Sequence, residues 1–351
     1  MISTWLLPIV IAADLFPRGL APIDAGAAAP EKLRAAACVG CHPEVHADWT
    51  QSRHGLAWTN AIFQREYRER PLEWCVHCHA PLTEQLAEVR RGGGALANEG
   101  VNCAVCHLRE GRVLARTKSP ASPHDTDARP DFGGPGTCAG CHQFSFPIIE
   151  PDPDKKGPGR VTGYTAHPMQ DTVNQHARGP HADKECSACH QRDPSAHRFP
   201  GGHDAGQIAG ALQMSTCRDR DTLVVSLANT GAGHNVPTGD LHRHLVLRAW
   251  RAGAPEKLQQ IVLGRRFEPA PDGGKRTVAD TTIRAGETRR LRLPLARTAS
   301  AAADPISLEL RLVYTIDEFP LRGRELAEPT YATMIERELD WRTTPRCPAR
   351  P

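Results

Sequence analysis

Beyond residue 206 apolar and polar positions alternate along the chain. Leu223, Val225 and Leu227 form one such run, and Leu245 and Leu247 a second. Leu291, Leu293 and Leu295 form a third, then Leu308, Leu310, Leu312 and Tyr314 a fourth. A period of two turns one face of a strand to a core and the other to water. Turn residues separate the runs, at Thr230-Gly231, Asp272-Gly273-Gly274 and Ala285-Gly286. Short strands joined this way predict an antiparallel sandwich over 206–351. A closing helix is expected from about Tyr331 to Trp341.

The N-terminus follows another pattern. Trp5 to Ala13 is an apolar run too short to span a bilayer comfortably. Asp14 and the small-residue stretch Ala25 to Ala29 come after it, an order similar to a secretory leader with its cleavage sites. Residues 1–30 are therefore expected to be leader and spacer. No Lys or Arg precedes the run, so a retained membrane anchor or a misplaced start is the alternative.

Composition changes the picture for the middle segment, 31–205. Aromatic residues are 5% of the chain, against 30 Gly and 30 Pro, so something besides aromatic side chains should fill part of the interior. The formal charge of +3 comes from 43 basic and 40 acidic residues with no basic block, which gives no case for nucleic acid as a partner.

The cysteines say what the filler is. Of 12 Cys, ten form pairs two residues apart, each followed at once by His: Cys38, Cys41, His42; Cys75, Cys78, His79; Cys103, Cys106, His107; Cys138, Cys141, His142; Cys186, Cys189, His190. Structural zinc takes two such pairs per metal and does not require the trailing His. A disulfide scaffold does not require it either. With 17 His in 351 residues, five trailing histidines by accident have a chance on the order of 10⁻⁷, so the pattern reads as covalent attachment of five c-type haems. Haem c is attached outside the cytoplasm, so a periplasmic, cell-surface or secreted location is expected. Motifs spaced 28 to 48 residues apart cannot each fold around a private core. The expected fold class is α+β: a helix-and-loop multihaem domain (31–205) wrapped around five stacked haems, each motif ending a helical turn, followed by the antiparallel β-sandwich-like domain. Cys217 and Cys347 are left over, as a disulfide or as two free thiols.

The motif histidines supply one iron ligand each, and the opposite face decides the chemistry: a second protein ligand closes a haem for electron transfer, an open face binds substrate. Only Met169, Met214 and Met334 are thioether candidates besides Met1, so histidine is the expected second ligand and low potentials are expected. Candidates are His54, closing Trp49-Thr50-Gln51-Ser52-Arg53-His54; His124, after the third motif; His181, before the fifth; His197 and His203, bracketing Arg198-Phe199-Pro200-Gly201-Gly202; and His234, in Gly233-His234-Asn235-Val236-Pro237-Thr238-Gly239. His77 lies inside its own motif, His242 and His244 alternate on a strand, and His46 and His167 have no distinguishing context.

From Cys38 to about His142 the chain resembles the tetrahaem cytochromes that accept electrons from hydroxylamine oxidoreductase. The likeness rests on Cys38-Val39-Gly40-Cys41-His42 followed by Trp49 and His54, then on Glu99-Gly100-Val101-Asn102-Cys103, His124 and the fourth motif. It implies closely stacked haems and distal-ligand roles for His54 and His124. The fifth motif and the strand region depart from that pattern. The Gly233 to Gly239 turn is similar to one in larger multihaem cytochromes. The expected function is an electron relay between redox proteins, either other cytochromes or a quinone-linked donor. The alternative is a reductase acting on a nitrogen or sulfur oxyanion at one open haem, although the Lys-ending motif of pentahaem nitrite reductases is absent. A structural subunit of a cytochrome filament or outer-membrane conduit is a third reading.

Overall fold

The computed structural model describes residues 22–26, 29–154, 157–191, 193, 196–271, 273–295, 305–314 and 329–348; the apolar run Trp5 to Ala13 lies outside them. The described helices are short: α1 (Pro43–Thr50), α2 (Ala61–Glu69), α3 (Glu73–His79), α4 (Thr83–Arg90), α5 (Cys103–His107), α6 (Pro135–His142), α7 (Thr172–Ala177), α8 (Cys186–His190) and α9 (Ala205–Ala211). Their starts follow from local chemistry. Pro43 and Pro135 open α1 and α6, where a missing N–H does no harm. Asn60, Asn102 and Asp204 cap α2, α5 and α9 by accepting from the backbone N–H three residues on. No described helix is long and apolar enough to cross a membrane.

Strands are interleaved with these helices. A small sheet joins β1 (Leu108–Arg109), β2 (Arg112–Ala115) and β3 (Thr126–Ala128), and β4 (Gln143–Glu150) pairs with β5 (Arg160–Asp171) in a long hairpin that sequence patterning does not predict. Then come β6 (Gln213–Asp219), β7 (Thr222–Ala228), β8 (His244–Arg251), β9 (Ala254–Pro269), β10 (Lys275–Asp280), β11 (Thr288–Pro294), β12 (Ile306–Val313) and β13 (Tyr331–Leu339). They form a five-stranded sheet, β10-β9-β8-β12-β13, and a three-stranded sheet, β11-β7-β6.

The alternating leucines do what their period demands. Leu310 stands opposite Leu247 and Leu308 opposite Ala249, while Leu291 and Leu293 stand opposite Val225 and Leu223. These inward faces meet in one core, which also takes in Ile208 of α9 and Trp341. Two antiparallel sheets thus share an apolar interior. Cys217 of β6 is disulfide-bonded to Cys347, and across the same junction Arg218 N donates to Pro345 O and Cys347 N donates to Arg218 O.

Two expectations change. The segment from Tyr331 is a strand, not a helix: β13 pairs with β12 from Tyr331↔Val313 to Leu339↔Ile306. Met-Ile-Glu-Arg-Glu-Leu favours a helix locally, but the open edge of β12 offers a full ladder of backbone partners, and tertiary pairing overrides propensity. Near the N-terminus, Ile23 and Ala25 do not behave as spacer. Both are buried against Leu33, Leu82, Leu96 and Val105, and they pair by backbone with Pro81, Thr83 and Gly111.

Candidate haem-binding site

Four helices, α3, α5, α6 and α8, each end on the histidine of a motif, His79, His107, His142 and His190. One helical turn places two cysteines three apart and the next residue on the same side. The first motif is a turn instead, with His42 leading into α1. All ten motif cysteines are free of disulfides. They nonetheless lie close across motifs. Cys38 touches Cys103, Cys138 touches Cys186, and Cys78 touches Cys141, with Cys106 near Cys141. The fourth motif therefore adjoins the second, third and fifth, and the first adjoins the third.

Three motif histidines face a second histidine. Ring centroids are 6.3 Å apart for His142 and His54, 6.2 Å for His107 and His197, and 6.2 Å for His190 and His234. An imidazole nitrogen binds a metal at about 2.0 Å, so two rings on opposite sides of one ion stand about 6 Å apart. The three pairs keep that spacing, with interplanar angles of 60°, 33° and 6°. The residues fit haem: cysteines and histidine from the motif on one side, a facing imidazole on the other. Bound there, haem iron supplies reversible one-electron chemistry.

Backbone carbonyls orient these rings. Nδ1 of His79 lies 2.8 Å from Ala57 O, that of His107 2.8 Å from Leu114 O, that of His190 2.7 Å from Pro200 O and that of His234 2.9 Å from Asn235 O. Donation from Nδ1 leaves the Nε2 lone pair for a metal. Enclosure also keeps the rings neutral. Burial pushes the His54 and His234 pKa values down to about 4 and that of His142 to about 3, and lowers those of His79 and His107. By surface accessibility His142 is nevertheless exposed.

The Glu-Gly-Val-Asn stretch before the third motif holds His54 in place. Val101 N donates to His54 O at 2.9 Å, and Trp49 Nε1 donates to Val101 O at 2.9 Å. Gly100 passes so close that a Cβ there would stand 2.7 Å from His54 O, at a φ of +60° that glycine tolerates. The segment from His197 to His203 serves three motifs at once. His197 faces His107, Phe199 meets His54 edge-on at 4.9 Å, and Pro200 O orients His190. Asp48 of α1 accepts from His197 N at 2.9 Å.

The remaining candidates lie elsewhere. His124 sits on an exposed loop with Nδ1 3.1 Å from Ser122 Oγ, and no ring contact joins it to a motif histidine. His203 stacks on Tyr314 at 3.9 Å, and His181 lies against Gly233. Phe63 stacks on the His79 ring at 3.6 Å. This contact and the orienting carbonyls leave no sequence signal, because backbone acceptors carry no residue identity. Arg243 was also unforeseen. It comes close to His142, His203 and His234 from the loop between β7 and β8.

Motifs, facing imidazoles and their carbonyl partners form a donor set that would suit haem held by thioether and histidine bonds. Residues 37–108 match the family described as cytochrome c554 and c-prime. The fold is similar to the penta-heme cytochrome c552 from Thermochromatium tepidum, with a TM-score of 0.64 at 19% identity, covering 89% of this chain and 100% of that one. No curated protein matches. The family match thus spans the first three of the five motifs, and the fold as a whole is that of a multihaem cytochrome structure.

Proposed function

We propose that the chain is an exported relay that carries five covalent haems and passes electrons between redox proteins. The observation that carries this is the facing of His142, His107 and His190 by His54, His197 and His234 at 6.2–6.3 Å. An iron with imidazole on both sides has no position for substrate, which suits electron transfer. The contacts among motif cysteines support a connected path from the first motif through the third to the fourth, branching there to the second and fifth. Five motifs support the count, and the similar Thermochromatium tepidum protein is itself described as penta-heme. The Cys217–Cys347 disulfide accords with an oxidising compartment outside the cytoplasm. Partners would be other cytochromes or a quinone-linked donor, meeting the chain through small, transient contacts. We divide the chain into a haem domain at 31–205 and a sheet domain from 206, which completes the fifth motif's site through His234.

Electron paramagnetic resonance of the oxidised holoprotein tests this. Low-spin signals from at least three haems, unmoved by nitrite or hydroxylamine, are expected. A wholly high-spin spectrum contradicts the proposal.

A second reading, oxyanion reduction at the second motif, has one observation behind it. A cavity of about 530 Å³ beside that motif is lined by Tyr67, Trp74, His77, Arg90 and Arg160. Its arginines are engaged, however, Arg90 with Glu73 at 2.7 Å and Arg160 with Glu150 at 3.7 Å. A high-spin signal that shifts with nitrite would favour this reading.

A further inference from the structure

The loop that carries His234 continues to Arg243, and that arginine makes no direct ion pair among the described residues. The residue is half-buried, and burial is the main influence against its charge. Among its neighbours Asp240 and Tyr314 support its charge, Arg53 repels it, and His142, His203 and His234 lie close enough to feel it. Asp240 is the nearby acid, but its Oδ1 accepts from His242 N at 2.8 Å within its own turn. Among the described residues no carboxylate lies within 4.0 Å of the Arg243 guanidinium. Its hydrogen bond, Nη1 to Thr238 O at 3.5 Å, is at the outer limit of such contacts.

The position is nonetheless built. A Cβ on Gly202 or Gly239 would stand 3.5 or 3.2 Å from Nη1, so two glycines leave the guanidinium its place. Tyr314, stacked on His203, donates to Gly202 O at 2.6 Å and fixes that wall. Thr238 anchors the loop to α7 through Gln175 Oε1 at 2.6 Å. A half-buried cation with a place kept for it and no direct ion pair suits an anion, and a planar guanidinium is shaped for a carboxylate.

Arg243 lies near His142 of the fourth motif and His234, which faces His190 of the fifth, and porphyrin brings carboxylates of its own. We infer that Arg243, backed by Arg53, binds a porphyrin carboxylate where the fourth and fifth motifs meet. This rests on the haem reading of the motifs. Its consequence is electrostatic: a fixed positive charge beside the site favours the reduced, less positive iron.

Spectroelectrochemical titration of holoprotein tests it, comparing wild type with Arg243→Gln and Arg243→Lys. The Gln variant should retain all its porphyrins by intact mass and keep its low-spin bands. At least one midpoint should fall, with the reduction equilibrium moving about tenfold, or about 59 mV. The Lys variant should recover part of that fall. Unmoved midpoints in fully loaded Arg243→Gln overturn the carboxylate assignment, as does a fall in Arg243→Lys as deep as in Arg243→Gln. If nitrite shifts the wild-type midpoints and Arg243→Gln abolishes the response, a free anion uses the site, and the assignment is again wrong. A wild-type chain matured without porphyrin overturns the underlying haem reading and this inference with it.

Discussion

Replacing Asn229 by Ala should loosen the loop that presents His234, with no change to any proposed ligand. Asn229 is 0% exposed. Its Nδ2 donates to His234 O at 2.9 Å and Ile283 O at 3.0 Å, and its Oδ1 accepts from Ala232 N at 3.2 Å. The three bonds are not equal. Ile283 O keeps a second donor, Val236 N at 2.9 Å, so its loss is that of an ordinary bond, about 1 kcal/mol. His234 O and Ala232 N lose the partner described for them, and such groups cost about 1–3 kcal/mol each when buried. Both are part-buried, which favours the lower end. The sum is about 3 kcal/mol. Urea unfolding followed by far-UV circular dichroism should show that loss, and one haem equivalent should gain high-spin character as His234 disengages. Stability within about 0.5 kcal/mol of wild type, the usual range for neutral surface changes, with an unchanged spin state, would refute the reasoning.

Other outcomes follow from the same geometry. His197→Ala should convert the third motif's haem alone to high spin, read by paramagnetic resonance, with the thioether count by mass unchanged. Unfolding stability should decline as pH falls from about 6.5 towards 4. His54 and His234, held down to about 4 in the folded chain, take up protons only when it unfolds in that window; stability measured from pH 8 to 4 should be flat above 7 and slope below it. Cys217→Ser should remove a link closing 130 residues, worth up to about 5 kcal/mol in the chain-entropy model, and lower the melting temperature of the sheet region.

The parts of the fold that were legible in the sequence are those in which a residue's identity and its neighbours agree. The leucines of β7, β8, β11 and β12 alternate because one face of each strand is buried, and the same alternation appears in the sequence. The five motifs stand out because the proposed haem attachment would fix their spacing. Tyr331–Leu339 misled because an edge strand buries little, here Met334, and its exposed Glu and Arg residues read as helix. The hairpin of β4 and β5 was hidden because its register shifts break the period of two. Facing histidines were harder still. His107 and His197 are brought together by tertiary packing alone, so spacing cannot name the pair. His54 stood out in the sequence through Trp49, and the structure places its ring opposite His142 with Gly100 and Val101 against its backbone. His124 shares the order of motifs in the resembling family, yet its ring lies on a surface loop. Arg243 gave no signal, since a lone arginine on a strand-joining loop is ordinary until its surroundings are known.

In the proposed holoprotein five porphyrins stand where a larger apolar interior would otherwise be. Intact mass of the chain, matured in a host with working haem-attachment machinery, tests this directly. The expected result is a coloured protein heavier than its processed polypeptide by five porphyrins, with the excess surviving denaturation. A colourless chain, or an excess that does not correspond to five, would contradict it.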